Sequence, residues 1–167
     1  GSFDMSLTAN RTIKFRKGYG TYTDVVAQTY DVVDWGDYVV YQCSAPVTIG
    51  GDPNDAYWAG NIAATTGDLD ETGAFAGWSL SFVYKNATVP YKNIRIYDGY
   101  QRVYNGGSTT TSTIVLNGLS IPTGVGTDAR MGSCIWEGDG NITNDHIKIN
   151  NATFSDALNP AANPWNG

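Results

Sequence analysis

The chain has 167 residues, which suits one domain, and 41% of them are hydrophobic, enough to bury a core. Its net charge of −6 argues against a nucleic-acid partner, because an acidic protein lacks the basic surface that neutralises phosphates. It contains no apolar run long enough to span a bilayer, so membrane insertion is not expected.

The first half of the chain predicts short strands separated by turns. Residues 11–17 alternate apolar Ile13 and Phe15 with basic neighbours, a pattern typical of a strand with one solvated face. The fourteen Asp against two Glu, together with twenty Gly, favour turns over helices. Further strands are predicted over 21–33 (one or two), 37–43 and 56–64, with a long turn over 49–55.

Residues 77–85 show the clearest alternation in the chain, with aromatic and aliphatic side chains on one face and serines on the other. The short turn that follows predicts antiparallel pairing with residues 93–99. The apolar residues of these two strands are expected to share one core: Trp78, Leu80, Phe82, Ile94 and Ile96.

The second half of the chain continues the same pattern, with strands predicted over 112–119, 129–136 and 146–154. No apolar periodicity of 3.6 residues persists over three turns. Ten or so short strands with regular turn signals predict an all-β fold, an antiparallel two-sheet β-sandwich of the jelly-roll type. We expect a single β-sandwich domain over residues 3–167, taken from a longer surface protein.

Two acidic loops are candidate ligand sites. The first contains Asp52, Asn54 and Asp55, and the second contains the three acids Glu137, Asp139 and Asp145. Calcium prefers such oxygen ligands, whereas Asp and Asn also form turns by bonding to the backbone. The acids of the second loop should converge on one spot, held by backbone N–H groups or by calcium. Bracing is favoured, because the ligand spacing is irregular; no cofactor other than this candidate Ca²⁺ is expected.

Exposed tryptophans predict a second kind of site. Trp35 lies among acids in a turn, and Trp58 follows the loop of Asp52, Asn54 and Asp55. Exposed tryptophan beside Asp and Asn suits carbohydrate binding, but ordinary core or interface packing is the favoured interpretation.

Catalysis has a thin basis in this chain. His146 is the only histidine, so a nucleophile has few bases available to activate it. Glu71 and Glu137 would have to converge in one cleft to act as a glycosidase pair. The two cysteines, Cys43 and Cys134, could form a disulfide or remain as two buried thiols. We therefore expect no enzymatic activity, with a glycoside-active enzyme as the least favoured alternative.

Two segments carry a resemblance to a known kind of protein: FAGWSLSFVYKNATVPYKNIRIYDGYQRV and EGDGNITNDHIKINNATFSDALNPAANPWNG. They resemble a domain of large secreted or surface-anchored prokaryotic, adhesin-like proteins, over residues 75–103 and 134–166. Glu137, Asp139 and Asp145 belong to the shared pattern. One position departs from it, because Asn144 stands where the pattern has Gly; Asn tolerates left-handed backbone, so the turn is expected to survive.

The resemblance implies an extracellular, non-catalytic domain used for adhesion or for building a surface fibre. Its expected partners are a cell-surface glycan or protein and neighbouring domains of the same chain. A lectin-like carbohydrate-binding module is the alternative, since it would share the fold.

Overall fold

The computed structural model describes residues 4–34, 39–65, 75–103, 110–120, 123, 129–136 and 143–164. Its regular elements are short antiparallel strands and, in these ranges, one helical segment, the four-residue 3-10 helix Thr8–Arg11. The strands are β1 (Thr12–Lys17), β2 (Thr23–Val26), β3 (Thr29–Asp34), β4 (Val39–Ser44), β5 (Tyr57–Gly60), β6 (Lys148–Ile149) and β7 (Ala152–Thr153). The predicted all-β class is confirmed.

The strands form three antiparallel sheets. The largest has the order β2-β1-β5, so β1 is hydrogen-bonded on both sides, while β3-β4 and β6-β7 are two-stranded. Among the described residues, no helix is long and apolar enough to cross a membrane.

Contacts divide the chain into two compact units. Gly1–Ala63 and Ser81–Asp128 form the first, which contains β1 to β5, and Ala64–Leu80 and Ala129–Gly167 form the second, which contains β6 and β7. In the described part of the first unit, the buried apolar side chains are Met5, Phe15 and Ala27.

Strand β1 shows why the alternating pattern folds as a strand. Phe15 is only 6% exposed and stacks on Tyr57 with ring centroids 5.9 Å apart. Tyr57 in turn packs against Phe82 at 5.2 Å. The basic residues between Ile13, Phe15 and Lys17 point to the other face, because successive strand side chains alternate. One face of β1 therefore carries Ile13 and Phe15, with Lys17 at its end, and the other face carries Lys14 and Arg16.

Predictions in the first half of the chain are confirmed. The segment 11–17 contains β1, residues 21–33 contain β2 and most of β3, 37–43 overlaps β4, and 56–64 contains β5. Each of these strands finds a partner close in sequence or opposite β1. The long turn over 49–55 is also present, between β4 and β5.

Predictions in the second half are wrong in several places. Residues 77–85, 93–99, 112–119 and 129–136 contain no strand in the structure. The expected common core is also absent: Trp78 and Phe82 are exposed, and Ile94 and Ile96 are more than half exposed. Alternation shows which side chains can share a face, but a strand also needs a hydrogen-bonded partner. Residues 93–99 instead make side-chain contacts, with Arg95 Nε donating to the Gly118 carbonyl at 2.9 Å.

The expected single strand over 146–154 is a hairpin. Strands β6 and β7 pair Lys148 with Thr153 and Ile149 with Ala152, which leaves a two-residue turn. Asn150 and Asn151 in that turn have φ of +48° and +67°. Positive φ at both central residues marks the hairpin turn whose twist matches the flanking strands, and Asn adopts it readily. The Asn150–Asn151 pair was the turn signal within residues 146–154, and it was overlooked because the flanking residues alternate as in a strand.

Candidate binding surface

The charged face of the β2-β1-β5 sheet carries a cross-strand row of three large side chains. Arg16 of β1 is directly opposite Trp58 of β5. On the other side, Phe15 pairs with Thr23, so Tyr22 lies beside Arg16 just before β2 begins. We call Tyr22, Arg16 and Trp58 the Tyr–Arg–Trp row.

The Arg16 guanidinium lies between the two aromatic rings. Its central carbon is 4.5 Å from the centroid of Tyr22 and 5.0 Å from that of Trp58. Both distances fall within the range in which the electron-rich ring face attracts a cation. The two rings remain open to solvent, with Tyr22 43% and Trp58 47% exposed. The row is thus an exposed platform with a fixed positive charge at its centre.

The Arg16 guanidinium has no hydrogen-bond or ion-pair partner among the described residues. Its Nε is buried. Lys14, the next residue on the same face, is paired with Asp24 of β2. The neighbouring cation is therefore paired, while Arg16 has no acidic partner among the described residues.

A cleft of about 270 Å³ lies beside the end of β1. Its lining includes Lys17 and the hydroxyl-bearing residues Thr21, Thr23 and Thr48. By strand register, Thr23 and Lys17 share the face of Phe15, opposite the Tyr–Arg–Trp row. Phe15 and Arg16 line the cleft as well, so it touches the central member of the Tyr–Arg–Trp row.

The loop before β5 is fastened to the end of β1. The Lys17 ammonium donates to the Gly50 carbonyl at 2.8 Å and to the Asp52 carbonyl. The Gly18 amide donates to the Ala56 carbonyl at 2.7 Å, and Gly18 has a φ of +54°. These contacts place β5 alongside β1 and so position Trp58 opposite Arg16.

The polar side chains of this loop bond to the loop itself. Asp52 accepts a hydrogen bond from the Asn54 amide at 2.9 Å, and Asp55 accepts one from the Ala56 amide at 2.8 Å. Both are the short-range bonds by which Asp stabilises turns. Two carbonyls that a cation would require are already bonded to Lys17. The geometry shows Asp52 and Asp55 acting as turn-forming residues.

The second acidic loop is described only in part. Glu137 and Asp139 lie outside the described residues, as do Trp35 and Glu71, so their predicted roles stay predictions. Asp145 is exposed. In the parts of the chain that the structure describes, no group of three or more His, Cys, Asp or Glu side chains could hold a metal ion.

The residues next to Asp145 are joined to the C-terminal segment. The Asn144 amide donates to the Ala162 carbonyl at 2.7 Å, and Asn144 has a φ of +87°. Asn144 thus adopts a positive φ, which Asn tolerates better than most residues. His146 Nδ1 lies 2.6 Å from the Ala161 carbonyl oxygen and donates to it, because a carbonyl can only accept.

Both cysteines are free thiols in the structure. Cys43 is half-buried on β4 and Cys134 is exposed. Burial raises the pKa of the Cys43 thiol, with the positive charge of Arg11 opposing the shift. The disulfide left open by the sequence is not formed here, and Cys134 is not the buried thiol of the alternative.

Of the row, the sequence indicated only Trp58. Arg16 and Tyr22 were missed, because their proximity depends on which strands flank β1. The signal that existed was charge: four of the ten Lys and Arg residues lie within residues 11–17, which contain no acid.

Comparison of the chain with known protein families, characterised proteins and solved structures finds no match.

Proposed function

We propose that this chain is a non-catalytic adhesion domain of an extracellular prokaryotic protein. The observation that supports it is the Tyr–Arg–Trp row, an exposed sheet surface with two aromatic rings and a cation that has no acidic partner among the described residues. Aromatic and arginine side chains are enriched at contact surfaces, and a cluster of them on an exposed sheet face supports a role in binding. The resemblance to surface-anchored, adhesin-like domains supports the extracellular setting.

The proposed architecture is a two-sheet, jelly-roll-like β-sandwich. The β2-β1-β5 sheet has the required asymmetry, with Phe15 and Tyr57 on one face and charged residues on the other. A sandwich buries the apolar face of each sheet and leaves the other face for solvent or a partner. In this arrangement the Tyr–Arg–Trp row is on the outside.

Among surface partners, a carbohydrate is favoured. The ring faces of Trp58 and Tyr22 match the apolar faces of sugars, and hydrogen-bond donors beside them fix orientation. The two functions considered from the sequence are thus combined: the domain is proposed to mediate adhesion by binding carbohydrate.

A glycan array with the purified chain tests the proposal. We expect binding to surface glycans that Trp58→Ala reduces by about tenfold or more, as removal of a central aromatic contact does. Val39→Ala serves as control, because Val39 is an exposed residue of β4, outside the row. Unchanged binding in Trp58→Ala, or no binding to any glycan or cell surface, contradicts the proposal.

Assembly of a surface fibre is the second candidate function. It is favoured by apolar side chains that remain exposed in the first unit, including Ile94, Ile96, Ile114 and Val115. Patches of this kind mark association surfaces. Sedimentation velocity checks it: a fibre module self-associates as its concentration rises, and Ile114→Ser weakens that association, whereas a strictly monomeric chain rules it out.

A further inference from the structure

We infer that the Tyr–Arg–Trp row is a binding site for a carboxylated polysaccharide, in which Arg16 pairs with the carboxylate of a uronic acid. This inference rests on the proposed adhesion function and names the ligand class of that site. It depends on three observations about Arg16: its stacking, its free donors and the charge around it.

The stacking of Arg16 determines what it can bind. Tyr22 flanks the Arg16 guanidinium on the β2 side and Trp58 on the β5 side, at 4.5 and 5.0 Å from its central carbon, so the ligand is taken to approach the edge that carries the Nη groups. That edge is a planar fork which matches the two oxygens of a carboxylate. A second aromatic ring or a cation would gain nothing at this edge.

The aromatic rings determine the rest of the ligand. Trp58 is 47% and Tyr22 43% exposed, and the two lie on the β5 and β2 sides of Arg16. A sugar chain presents apolar ring faces at regular intervals, so neighbouring sugars can lie on these rings while one carboxylate meets Arg16. An acidic peptide would satisfy the charge but would leave the ring faces with little to contact.

Charge complementarity favours an anionic polymer at this face. The chain carries −6 overall, yet residues 11–17 carry four positive charges and no negative one. Of these, Lys14 is paired with Asp24, and Lys17 is bonded to loop carbonyls. Arg11 lies before β1 against a single ring, whereas Arg16 lies on the sheet face between two rings, and contacts that already hold its side chain lower the entropy cost of ordering it on binding.

Arg11 provides a matched control. Its guanidinium lies 5.5 Å from one ring, that of Tyr30, and its Nε is likewise buried without a partner among the described residues. Arg11→Gln removes the same charge and a similar ring contact outside the row. Arg16→Lys keeps the charge but loses the planar fork.

Titration calorimetry with uronic-acid oligosaccharides, and with the same oligosaccharides after reduction of their carboxylates, tests the inference. We expect binding of a uronate that weakens about tenfold or more in Arg16→Gln, several-fold in Arg16→Lys and less than about twofold in Arg11→Gln. Carboxyl reduction should weaken binding as much as Arg16→Gln does. Circular dichroism and thermal melts of each variant establish that it is folded.

Three results overturn the inference. Equal binding of the reduced and carboxylated sugars removes the carboxylate from the site, while the adhesion function stands if Trp58→Ala still abolishes glycan binding. Tighter binding of a glutamate-rich peptide or a single-stranded oligonucleotide assigns the row to another class of polymer. Absence of binding to any sugar, charged or neutral, removes both this inference and carbohydrate adhesion.

Discussion

Gly18 is the residue whose backbone most constrains the neighbourhood of β1. Its φ of +54° lies in the left-handed region, and a Cβ at this position would approach the Asp55 carboxylate oxygen to 2.8 Å. We expect Gly18→Ala to destabilise the fold by about 1–2 kcal/mol, from backbone strain together with displacement of Asp55. Chemical denaturation measures this loss.

Gly50→Ala is the control for that variant, since its φ is not in the left-handed region and no atom lies within 4 Å of an added Cβ. Equal stability of the Gly18 and Gly50 variants would contradict the role assigned to Gly18.

The two cysteines should differ in reactivity. Cys134 is exposed, whereas Cys43 is half-buried and its thiol has a raised pKa, so little reactive thiolate forms near neutral pH. We expect iodoacetamide to label Cys134 first in the native chain, and both cysteines after unfolding. Peptide mass mapping over time checks the order. Faster labelling of Cys43, or no free thiol in the native protein, would contradict the structure.

At the scale of elements, the β6-β7 hairpin depends on its Asn150–Asn151 turn. Both residues have positive φ, which costs an ordinary side chain about 1–2 kcal/mol and costs glycine almost nothing. Asn151→Gly should preserve or strengthen the hairpin, while Asn151→Val should weaken it. Amide hydrogen exchange at Ile149 and Thr153 reports the change; equal exchange in both variants is the contrary result.

The segment after β7 contains a pH-sensitive turn. The Asp156 carboxylate accepts hydrogen bonds from the Leu158 and Asn159 amides, each at 2.8 Å, and these bonds lower its pKa. A lowered folded-state pKa means that the stabilisation is complete above the ordinary Asp pKa of about 3.9 and is lost as the pH falls through the folded value.

Thermal melts between about pH 6 and pH 2 check this dependence. Asp156→Asn removes the titrating group, so its melting temperature should fall less on acidification than that of the parent chain. An identical pH profile would show that the turn does not contribute.

The sequence predicted the strands of the first half, including β5 with its distant partner, but it also predicted locally paired strands at 77–85 and 93–99 that the structure does not contain, and it missed the β6-β7 hairpin. The alternation of Ile13 and Phe15 was sufficient for β1, because β2 follows it after a short turn. The equally regular alternation around Trp78 and Phe82 predicted a strand that the structure does not contain. Alternation within a segment shows which side chains would share a face, but it does not show whether another segment pairs with it to form a sheet.

The same limit applies to the candidate site. Trp58 was found because its position directly after a polar loop can be read from the sequence alone. Arg16 and Tyr22 can be recognised as site residues only once the pairing of β1 with β5 is known, because that pairing brings Trp58 opposite Arg16. The predicted ligand role of Asp52 and Asp55 stays a prediction; the structure adds that each carboxylate also accepts a hydrogen bond from its own loop, which composition does not reveal.

At the scale of the molecule, the all-β class follows from side-chain chemistry. Asp, Asn and Gly stabilise turns, and the near absence of Glu removes a common helix former. We expect far-UV circular dichroism to show a β spectrum with helix well below the roughly one-third of an average soluble protein. More than about a fifth helix would contradict the fold.

The central position of β1 bears on how Arg16 behaves in time. Its backbone is held by ladders to β2 and β5, so exposing it requires both edges of the sheet to separate. Such positions open only in the slowest, most global fluctuations of a protein. Arg16 therefore lies on the central strand, which is the strand of this sheet that should fluctuate least. A partner that meets this face encounters a surface already in its binding geometry, and the rate of capture should be limited by diffusion and not by rearrangement.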